Sequence, residues 1–335
     1  MRALRLHGTA SITARPLRVE ELPKPVPGPD ELLVRVRACG ICRTDLHVIE
    51  GDLPFLGRPV IPGHQVVGVV SAMGAEVRDF VLGERVGIAW LRYTCGRCGA
   101  CTTGRENLCA TPRFTGYHAD GGFAEYAIVP AAFAYRIPET FSDAEATPLL
   151  CAGLIGYRAL VRSELHPGGT LNLYGFGSSA HVTLQVAKHW GCRVQVVTRA
   201  AAHRELAREL GADWVGDLGG TPPMRADSAI LFAPVGSLVP LALEHLAKGG
   251  TLAVAGIHLS DIPTLNYERH LFYEKSLRSV TANTRADGRE LLRLAAEIPI
   301  RPRVTTFSLE EANDALIQLA GDAIAGTGVL LVDAD

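Results

Sequence analysis

The chain has 335 residues, which is too long for one ordinary hydrophobic core, so we expect two domains. Hydrophobic residues make up 47% and charged residues 20% of it, the balance of a globular protein. The formal net charge of −2 supplies no broad positive field, so we expect neither nucleic acid nor an anionic membrane as a partner. No apolar run reaches the ~20 residues that span a bilayer, and polar residues interrupt residues 1–8 before a signal-peptide core could form. These features predict a cytoplasmic protein.

Short β-rich runs, broken by Gly and Pro, fill the chain up to about residue 140. Residues 32–38 and 65–70 are typical strands bounded by turn signals, and such runs predict an irregular β-rich domain. After this point the residue pattern changes. A helix start is expected where Ser142 can act as the N-cap and Glu145 stands at the third helical position.

From residue 170 onward, short apolar runs alternate with helical patterns. We expect strands at 171–174, 193–198, 228–233, 251–257 and 277–282, and helices at 178–190, 201–210, 238–248 and 267–275. This alternation predicts an α/β domain with a doubly wound parallel sheet, the Rossmann arrangement. Beyond about residue 286 we expect a helix, a strand near Val304, a helix at 309–319 and a final strand at 329–332.

Four of the eight cysteines lie within fifteen residues: Cys95, Cys98, Cys101 and Cys109. Four thiolates at this spacing can surround one tetrahedral Zn²⁺ and leave no open position, which is typical of a structural site. The backbone turns between these ligands would be eased by Gly96, Gly99 and Gly104. Free or disulfide-paired thiols are one alternative, and an iron–sulfur cluster is another that we rank below zinc.

Three further residues are candidate ligands of a second metal ion: Cys42, His64 and Cys151. Two thiolates and an imidazole make a catalytic zinc set, in which the fourth position stays open to water or substrate. Successive members lie 22 and 87 residues apart, so only the fold can bring them together. Taken alone, this spacing leaves a buried core Cys or His as an open alternative.

A glycine turn follows the first strand of the alternating region. Its residues form a G-x-G-x-x-A pattern: Gly175, Phe176, Gly177, Ser178, Ser179 and Ala180. A strand, a glycine turn and a helix N-terminus together predict the pyrophosphate site of a nicotinamide dinucleotide. An ordinary tight turn is the alternative.

The second strand of this region ends at Thr198, where an NAD-binding protein usually carries Asp or Glu. Arg199 follows directly, and Arg204 lies five residues later. Because no carboxylate is available for the ribose 2′-hydroxyl and cations are adjacent, NADP(H) is favoured over NAD(H). The competing interpretation is that both arginines are only solvated helix residues.

Three segments carry a resemblance to a known family: residues 39–47 (Cys-Gly-Ile-Cys-Arg-Thr-Asp-Leu-His), 63–68 (Gly-His-Gln-Val-Val-Gly) and 151–153 (Cys-Ala-Gly). With the four cysteines between the second and third segments, essentially the whole chain resembles the zinc-containing medium-chain alcohol dehydrogenases of the shorter microbial type. The resemblance implies a GroES-like, β-rich catalytic domain over 1–150 and 285–335, with a structural zinc lobe at about 90–112. The dinucleotide-binding domain would span 151–284, with the active site in the cleft.

The resemblance assigns Cys42, His64 and Cys151 to a catalytic zinc, so that each chain would carry two zinc ions. Asp45 would accept a hydrogen bond from His64 and fix its tautomer; an exposed loop carboxylate is the alternative. Thr44 would be the first hydroxyl of a proton relay.

The relay would continue through the nicotinamide ribose to His47, which would exchange the proton with solvent; a surface histidine is the alternative. Arg43 would face the cofactor pyrophosphate or, alternatively, form a surface salt bridge. Trp90 would line the substrate pocket, with a core indole as the alternative.

Four features depart from the usual pattern of the family, and Ala180, at the third position of the glycine turn, is the mildest of them. Gln65 stands where most members carry Glu, which removes one negative charge behind the metal. Ile155 stands where Thr is common near the nicotinamide, and residues 326–328 (Gly-Thr-Gly) lack an Arg often found there.

The activity that the resemblance implies is reversible hydride transfer between a small alcohol, primary rather than secondary, and a nicotinamide dinucleotide. A polyol or other secondary-alcohol dehydrogenase of the same fold is the first alternative, and a non-catalytic zinc- and nucleotide-binding redox sensor is the second. Zinc-free quinone reductases of this fold are disfavoured by both cysteine sets. By resemblance we also expect a homodimer or homotetramer.

Overall fold

A computed structural model describes residues 1–256 and 259–332. The chain divides into two units. The first unit consists of Met1–Cys151, Asn283–Ala296 and Pro302–Asp335, and the second consists of Ala152–Ala282 and Glu297–Arg301.

Residues 1–151 form mostly short strands. In chain order the elements are β1 (Arg2–Leu6), β2 (Leu17–Glu21), β3 (Glu31–Gly40), α1 (Arg43–Glu50), β4 (Gln65–Met73), β5 (Arg85–Ile88), β6 (Leu91–Tyr93), α2 (Gly99–Thr102), β7 (Arg113–Phe114), β8 (Tyr126–Pro130), β9 (Ala134–Arg136) and α3 (Asp143–Ala146). Single 3₁₀ turns lie at Ile12–Ala14, Glu106–Leu108, Ala131–Phe133 and Thr147–Leu150.

Residues 152–282 alternate helices with strands. The elements are α4 (Ala152–Ser163), β10 (Thr170–Tyr174), α5 (Ser178–His189), β11 (Arg193–Val197), α6 (Ala201–Glu209), β12 (Trp214–Gly216), β13 (Ala226–Leu231), α7 (Leu238–Glu244), β14 (Leu246–Val254), α8 (Tyr267–His270) and β15 (Ser276–Ser279). The remaining elements are α9 (Arg285–Glu297), β16 (Val304–Ser308), a 3₁₀ turn at Leu309–Glu311, α10 (Ala312–Ala320) and β17 (Thr327–Leu331).

The first unit is built on a mixed sheet with the strand order β16-β17-β3-β4-β5-β9, in which β8 also pairs with β3. The predicted strands 32–38 and 65–70 both form, and they extend to Gly40 and Met73. Gly40, the last residue of β3, lies opposite Gln65, the first residue of β4, in the antiparallel register. Segments that leave β3 and enter β4 at these ends are therefore close in space.

The second unit confirms the predicted doubly wound sheet. Its strand order is β12-β11-β10-β13-β14-β15, and every pair is parallel. In this order β10 has the following strand β11 on one side and β13 on the other, so the chain reverses its winding direction at β10. Ligands of such sheets bind beyond the carboxyl ends of the strands at this point.

The helix start predicted at Ser142 is confirmed in the first unit. Ser142 Oγ accepts a hydrogen bond from the Glu145 N–H at 3.3 Å, and the Ser142 N–H donates to Glu145 Oε2 at 3.0 Å. This reciprocal capping satisfies two backbone groups that the first turn of a helix leaves unpaired.

Two predicted helices are shorter in the structure. The helix expected at 238–248 ends at Glu244, because Leu246 already belongs to β14 and pairs with Ala226. The helix expected at 267–275 ends at His270. The strand expected at 277–282 is Ser276–Ser279, and the one expected at 251–257 ends at Val254, with Ile257 lying outside the described residues.

Helix α4 was not predicted, because Gly153 and Gly156 within it suggest a break. In the structure, Gly156 allows close packing of α4 against α5. A Cβ atom at this position would lie 2.2 Å from Thr183 Oγ1 and 3.2 Å from the Ser179 carbonyl oxygen. The missing side chain therefore lets α4 approach α5 closely.

Among the residues that the structure describes, no helix has the length and apolar character needed to cross a membrane.

Candidate metal and cofactor sites

Cys42, His64 and Cys151 converge in the first unit, although they come from three separate segments. Cys42 is the N-cap of α1, His64 directly precedes β4, and Cys151 follows the 3₁₀ turn Thr147–Leu150. Their candidate ligand atoms all lie within 4.8 Å of one another. The fold therefore supplies the convergence that the spacing in the sequence could not.

The distances within this group fit a tetrahedral zinc site. Cys42 Sγ lies 3.9 Å from Cys151 Sγ and 3.3 Å from His64 Nε2. Two sulfurs bound to one Zn²⁺ at ~2.3 Å in tetrahedral geometry are about 3.8 Å apart. The three side chains can thus hold one ion and leave a fourth position for another ligand.

Asp45 is buried beside this group and holds two of its segments. Its Oδ2 accepts a hydrogen bond from the Cys42 N–H at 2.9 Å, and its Oδ1 accepts one from the Gly63 N–H at 3.2 Å. His64 Nδ1 lies 3.3 Å from the same Oδ1, an ion-pair distance. His64 Nδ1 has no hydrogen-bond partner among the described residues, so Asp45 lies next to the imidazole without forming the expected hydrogen bond. The alternative, an exposed loop carboxylate, does not fit a side chain that is 2% exposed.

The protonation of His64 reflects these neighbours. Burial lowers the pKa of His64, but the interactions of the imidazole with Cys42 and Asp45 outweigh burial and raise this pKa to about 10. The hydrogen bond with the Cys151 thiol, and then burial, raise the pKa of Cys42 well above its usual value. A divalent cation would stabilise the deprotonated thiols and compete with the proton on the imidazole, because metal binding to such ligands releases protons.

Gln65 directly follows His64 in the chain and is completely buried. Neither its amide nitrogen nor its amide oxygen has a hydrogen-bond partner among the described residues. Its side chain packs on Gly40, where a Cβ atom would lie 3.0 Å from both Gln65 Cδ and Oε1. A buried polar group left unpaired costs about 1–3 kcal/mol.

Thr44 and His47 lie three residues apart in α1, so they share one face of that helix. Thr44 is buried at 7% exposure. His47 Nδ1 lies 2.6 Å from Asp52 Oδ2, a contact that the sequence analysis did not anticipate. Arg43 forms an exposed ion pair with Asp322, which matches the alternative given for it.

The four clustered cysteines also form one group in the first unit, with ligand atoms within 4.8 Å of one another. Cys98 Sγ lies 3.5 Å from Cys101 Sγ, and Cys95 Sγ lies 4.0 Å from the same atom. Backbone N–H groups point at the sulfurs, and hydrogen bonds from Cys101 and Ala110 lower the pKa of Cys98 to about 6. Thiolates at these separations fit a second tetrahedral ion with four protein ligands.

The glycines of this segment behave differently from one another. Gly96 and Gly104 adopt positive φ angles of 68° and 71°, as expected for tight turns between ligands. Gly99 does not; it begins the short helix α2.

An ion pair missed by the sequence analysis fastens this segment to the start of α9. Arg285 Nη2 lies 2.6 Å from Glu106 Oε2, and the Arg285 backbone N–H donates to Glu106 Oε1 at 2.8 Å. The side chain of Glu106 is 12% exposed and that of Arg285 is 30% exposed. The Arg285 guanidinium also lies 4.5 Å from the ring centroid of Phe133.

Trp90 lies beside the first group. Its ring is 5.0 Å from the His64 ring at an interplanar angle of 71°, and it stacks on Phe114 at 4.8 Å and 10°. Tyr117 lies further along, 6.3 Å from Trp90. Phe114 and Tyr117 were not predicted, and only their position five and eight residues after Cys109 could have suggested them.

The glycine turn of the second unit has the geometry of a phosphate cradle. Gly175 directly follows β10 and has a φ of 88°, and a Cβ there would lie 2.8 Å from the Ala233 backbone nitrogen. Gly177 is the N-cap of α5, and a Cβ at this position would meet nothing within 4 Å. Phe176 and Ala180 are buried. The backbone at Gly177 is thus open to a ligand at the N-terminus of a twelve-residue helix.

Thr198 and Arg199 directly follow β11, and Arg204 lies in α6. Thr198 is 4% exposed, and its N–H donates to the Gly216 carbonyl at 3.0 Å. Arg204 Nη1 donates to the Thr198 carbonyl at 3.1 Å and also to the Arg199 carbonyl. Arg199 is exposed. Arg204 is therefore engaged by the backbone, and Arg199 is the more accessible cation.

A doubly wound parallel sheet with a glycine turn, together with two sulfur-rich groups of metal-ligand geometry, defines a zinc-binding dehydrogenase as the class of protein. Comparison with known proteins agrees. The alcohol dehydrogenase GroES-like domain matches residues 28–139, and the zinc-binding dehydrogenase domain matches residues 179–297.

Individual relatives narrow the class to a family. "Probable alcohol dehydrogenase AdhA" of Mycobacterium tuberculosis is 56% identical over 313 residues, which cover 92% of this chain and 90% of that protein. A solved NAD-dependent alcohol dehydrogenase superposes with a TM-score of 0.90 at 27% identity, covering 99% of this chain and 100% of the other. A zinc-binding dehydrogenase of Sinorhizobium meliloti bound to NADP superposes with a TM-score of 0.87 at 30% identity, covering 98% of each chain. The chain belongs to the zinc-containing medium-chain alcohol dehydrogenases.

The ion pair between Glu106 and Arg285 yields a test of how the cysteine segment is fastened. Glu106→Gln should lower the free energy of unfolding by about 2 kcal/mol, because it leaves the partly buried guanidinium of Arg285 without its counter-charge. The 30% exposure of the Arg285 side chain keeps the loss below that of a fully buried pair. Urea unfolding in zinc-containing buffer measures the change.

Glu290→Gln is the matched control for this test. Glu290 pairs with Arg293 on the same helix, but both side chains are more than 40% exposed, so we expect a loss of less than about 0.5 kcal/mol. Equal losses in the two variants would contradict a special role for Glu106.

Proposed function

We propose that this chain is a zinc-dependent alcohol dehydrogenase that moves hydride reversibly between a small primary alcohol, or its aldehyde, and NADP(H). The observation that carries the proposal is the spacing of Cys42, His64 and Cys151, which suits one tetrahedral ion with an open position. Each chain would hold two zinc ions, the second one bound by the four clustered cysteines.

Cys42, His64 and Cys151 would hold the catalytic ion. Zinc at such a site polarises the oxygen of the substrate and lowers the pKa of its hydroxyl. Asp45 would orient the imidazole of His64, since its oxygen lies 3.3 Å from the ring nitrogen that faces away from Cys42. Gln65 is uncharged, whereas most members of the family carry Glu at this position. The site therefore has one negative charge fewer, which would favour loss of the substrate proton.

Side chains of α1 would carry the hydroxyl proton of the substrate away from the site. Oxidation of an alcohol releases a hydride from carbon, which the nicotinamide accepts, and a proton from oxygen. Thr44 is buried on the same face of α1 as His47 and would receive the proton first. Asp52 would hold the Nδ1–H of His47 and so orient its ring, and the imidazole would exchange the proton with solvent.

The dinucleotide would lie on the glycine turn of the second unit. Backbone N–H groups of Ser178 and Ser179 at the start of α5 suit a pyrophosphate, and the open space beside Gly177 leaves room for it. Arg199 is exposed at the end of β11, where no carboxylate would repel a ribose 2′-phosphate. Arg204 would contribute less, because two carbonyl groups already occupy its guanidinium.

A homodimer or homotetramer and a cytoplasmic location remain predictions from the family resemblance and the composition. The same holds for Arg43 as a contact of the pyrophosphate. Its exposed ion pair with Asp322 is of the kind that is worth at most about 1 kcal/mol, so a phosphate could displace it.

Replacement of a single ligand tests the proposed reaction. Wild-type protein should bind two zinc ions and oxidise 1-butanol faster than 2-butanol. Cys151→Ser should bind one zinc ion, and its kcat/KM should fall by about three orders of magnitude, because a Lewis-acid metal contributes several kcal/mol. Metal analysis and steady-state kinetics give both readings.

Cys192→Ser is the control, because Cys192 is a buried cysteine of the second unit outside both metal groups. It should keep two zinc ions and near-normal turnover. Full turnover in Cys151→Ser would overturn the proposed metal site, and faster oxidation of 2-butanol would favour the secondary-alcohol alternative.

The cofactor preference is tested at Arg199. The wild-type kcat/KM should be higher with NADP⁺ than with NAD⁺. Arg199→Ala should lower the value for NADP⁺ by about 10-fold or more, because a charge-assisted hydrogen bond to phosphate is lost, and should leave the value for NAD⁺ nearly unchanged. Arg208→Ala, at an exposed position of the following helix α6, is the control. A wild-type kcat/KM with NAD⁺ at or above that with NADP⁺ would show that the preference is wrong.

A further inference from the structure

The rings of Trp90, Phe114 and Tyr117 form a connected group that begins at His64; we call it the aromatic wall. Trp90 meets the His64 ring edge to face at 5.0 Å, and it is nearly parallel to both Phe114 and Tyr117, with interplanar angles of 10° and 14°. All three rings are only partly buried. An aromatic surface therefore extends outward from one of the three candidate zinc ligands.

The backbone holds the aromatic wall in place. Phe114 in β7 pairs with Leu91, the residue that follows Trp90, and the Thr115 N–H donates to the Trp90 carbonyl at 2.9 Å. The Tyr117 hydroxyl donates to the Pro54 carbonyl at 2.8 Å. Because a parallel ring at 4.8 Å covers one face of the indole, Phe114 restricts the orientation that Trp90 can take beside His64.

The surface of the wall is apolar rather than charged. The hydroxyl of Tyr117 is already engaged by a carbonyl, so the ring and not the hydroxyl is available to a ligand. His118, which contacts both Phe114 and Tyr117, accepts a hydrogen bond from the Phe114 N–H at 3.3 Å. Burial, assisted by the charges of Arg113 and Arg58, lowers the pKa of His118, which keeps its ring neutral near pH 7.

We propose that the aromatic wall makes this enzyme select alcohols and aldehydes whose reacting carbon is attached to a planar, conjugated group, with Phe114 acting as a positioning residue for Trp90. A flat ring can stack on, or meet edge to face, an indole of fixed orientation. A saturated ring of similar size is thicker and lacks the quadrupole that such contacts use. This inference rests on the proposed function and adds the substrate class.

A matched pair of substrates tests the inference: benzyl alcohol and cyclohexylmethanol. They carry rings of similar size, and their different intrinsic reactivity cancels when the ratio of their kcat/KM values is compared between variants. In Phe114→Leu the ratio of benzyl alcohol to cyclohexylmethanol should fall by between about 2-fold and about 12-fold, the range expected for one aromatic contact. The change should come mainly from a higher KM for benzyl alcohol.

Two further variants separate positioning from a general structural effect. Phe114→Tyr keeps a ring at this position and should retain the wild-type ratio. Tyr93→Leu removes an exposed ring from β6, the strand next to β7, and should also retain it. A ratio in Phe114→Leu that stays within about 1.5-fold of wild type, or an equal fall in Tyr93→Leu, overturns the inference.

If Phe114→Leu does not fold, as judged by zinc content and circular dichroism, Tyr117→Leu provides the same comparison with the same expected fall. Turnover of 1-butanol distinguishes failure of the proposed function from failure of the proposed substrate class. If wild-type protein loaded with zinc oxidises none of these alcohols with NADP⁺ or NAD⁺, the proposed function fails. If it oxidises 1-butanol but neither substitution changes the ratio, only the proposed substrate class is wrong.

Discussion

One buried carboxylate organises the candidate active site. Asp45 accepts one hydrogen bond from the backbone N–H of Cys42 and another from the backbone N–H of Gly63, the residue before His64. Its carboxylate also lies beside the imidazole of His64. A single side chain thereby ties the start of α1 to the segment that enters β4. Without this link, Cys42 and His64 would belong to two loops that the sheet brings near each other but does not orient.

The sheet supplies the remaining constraint. Gly40 and Gln65 are opposite each other in the register of β3 and β4, so the loops beyond them begin from adjacent points. The close packing of Gln65 on Gly40 leaves little room for a side chain at the end of β3. The strand register therefore brings the two loops together, and the Asp45 carboxylate links them to each other.

The two cysteine sets differ in how much of each could be predicted from the sequence. The ligands from Cys95 to Cys109 lie within one short segment, so local spacing already predicts that the sulfurs meet. Cys42, His64 and Cys151 are far apart in the sequence, so their spacing does not show that they meet. Their assignment to one metal ion depended on the family resemblance. The structure brings both sets to metal-ligand distances.

Other features escaped prediction because they depend on tertiary contacts. Gly156 suggests a broken helix in the sequence, but in the fold its missing side chain lets two helices pack. Leu246 continues an apolar pattern of helical type, yet it is buried in β14. The stacking of Phe114 on Trp90 and the pairing of Glu106 with Arg285 join residues whose relation only the folded chain reveals.

The most direct measurement of the central claim is the visible absorption spectrum of protein in which Co²⁺ replaces zinc, recorded while an alcohol is added in the presence of oxidised cofactor. Cobalt bound by Cys42, His64 and Cys151 with an open position should change its absorption bands when the alcohol enters, whereas cobalt bound by four thiolates should not. We expect the bands of one of the two cobalt ions to shift. A spectrum that no alcohol perturbs, in a protein that still oxidises the alcohol, would show that the reaction does not take place at this metal.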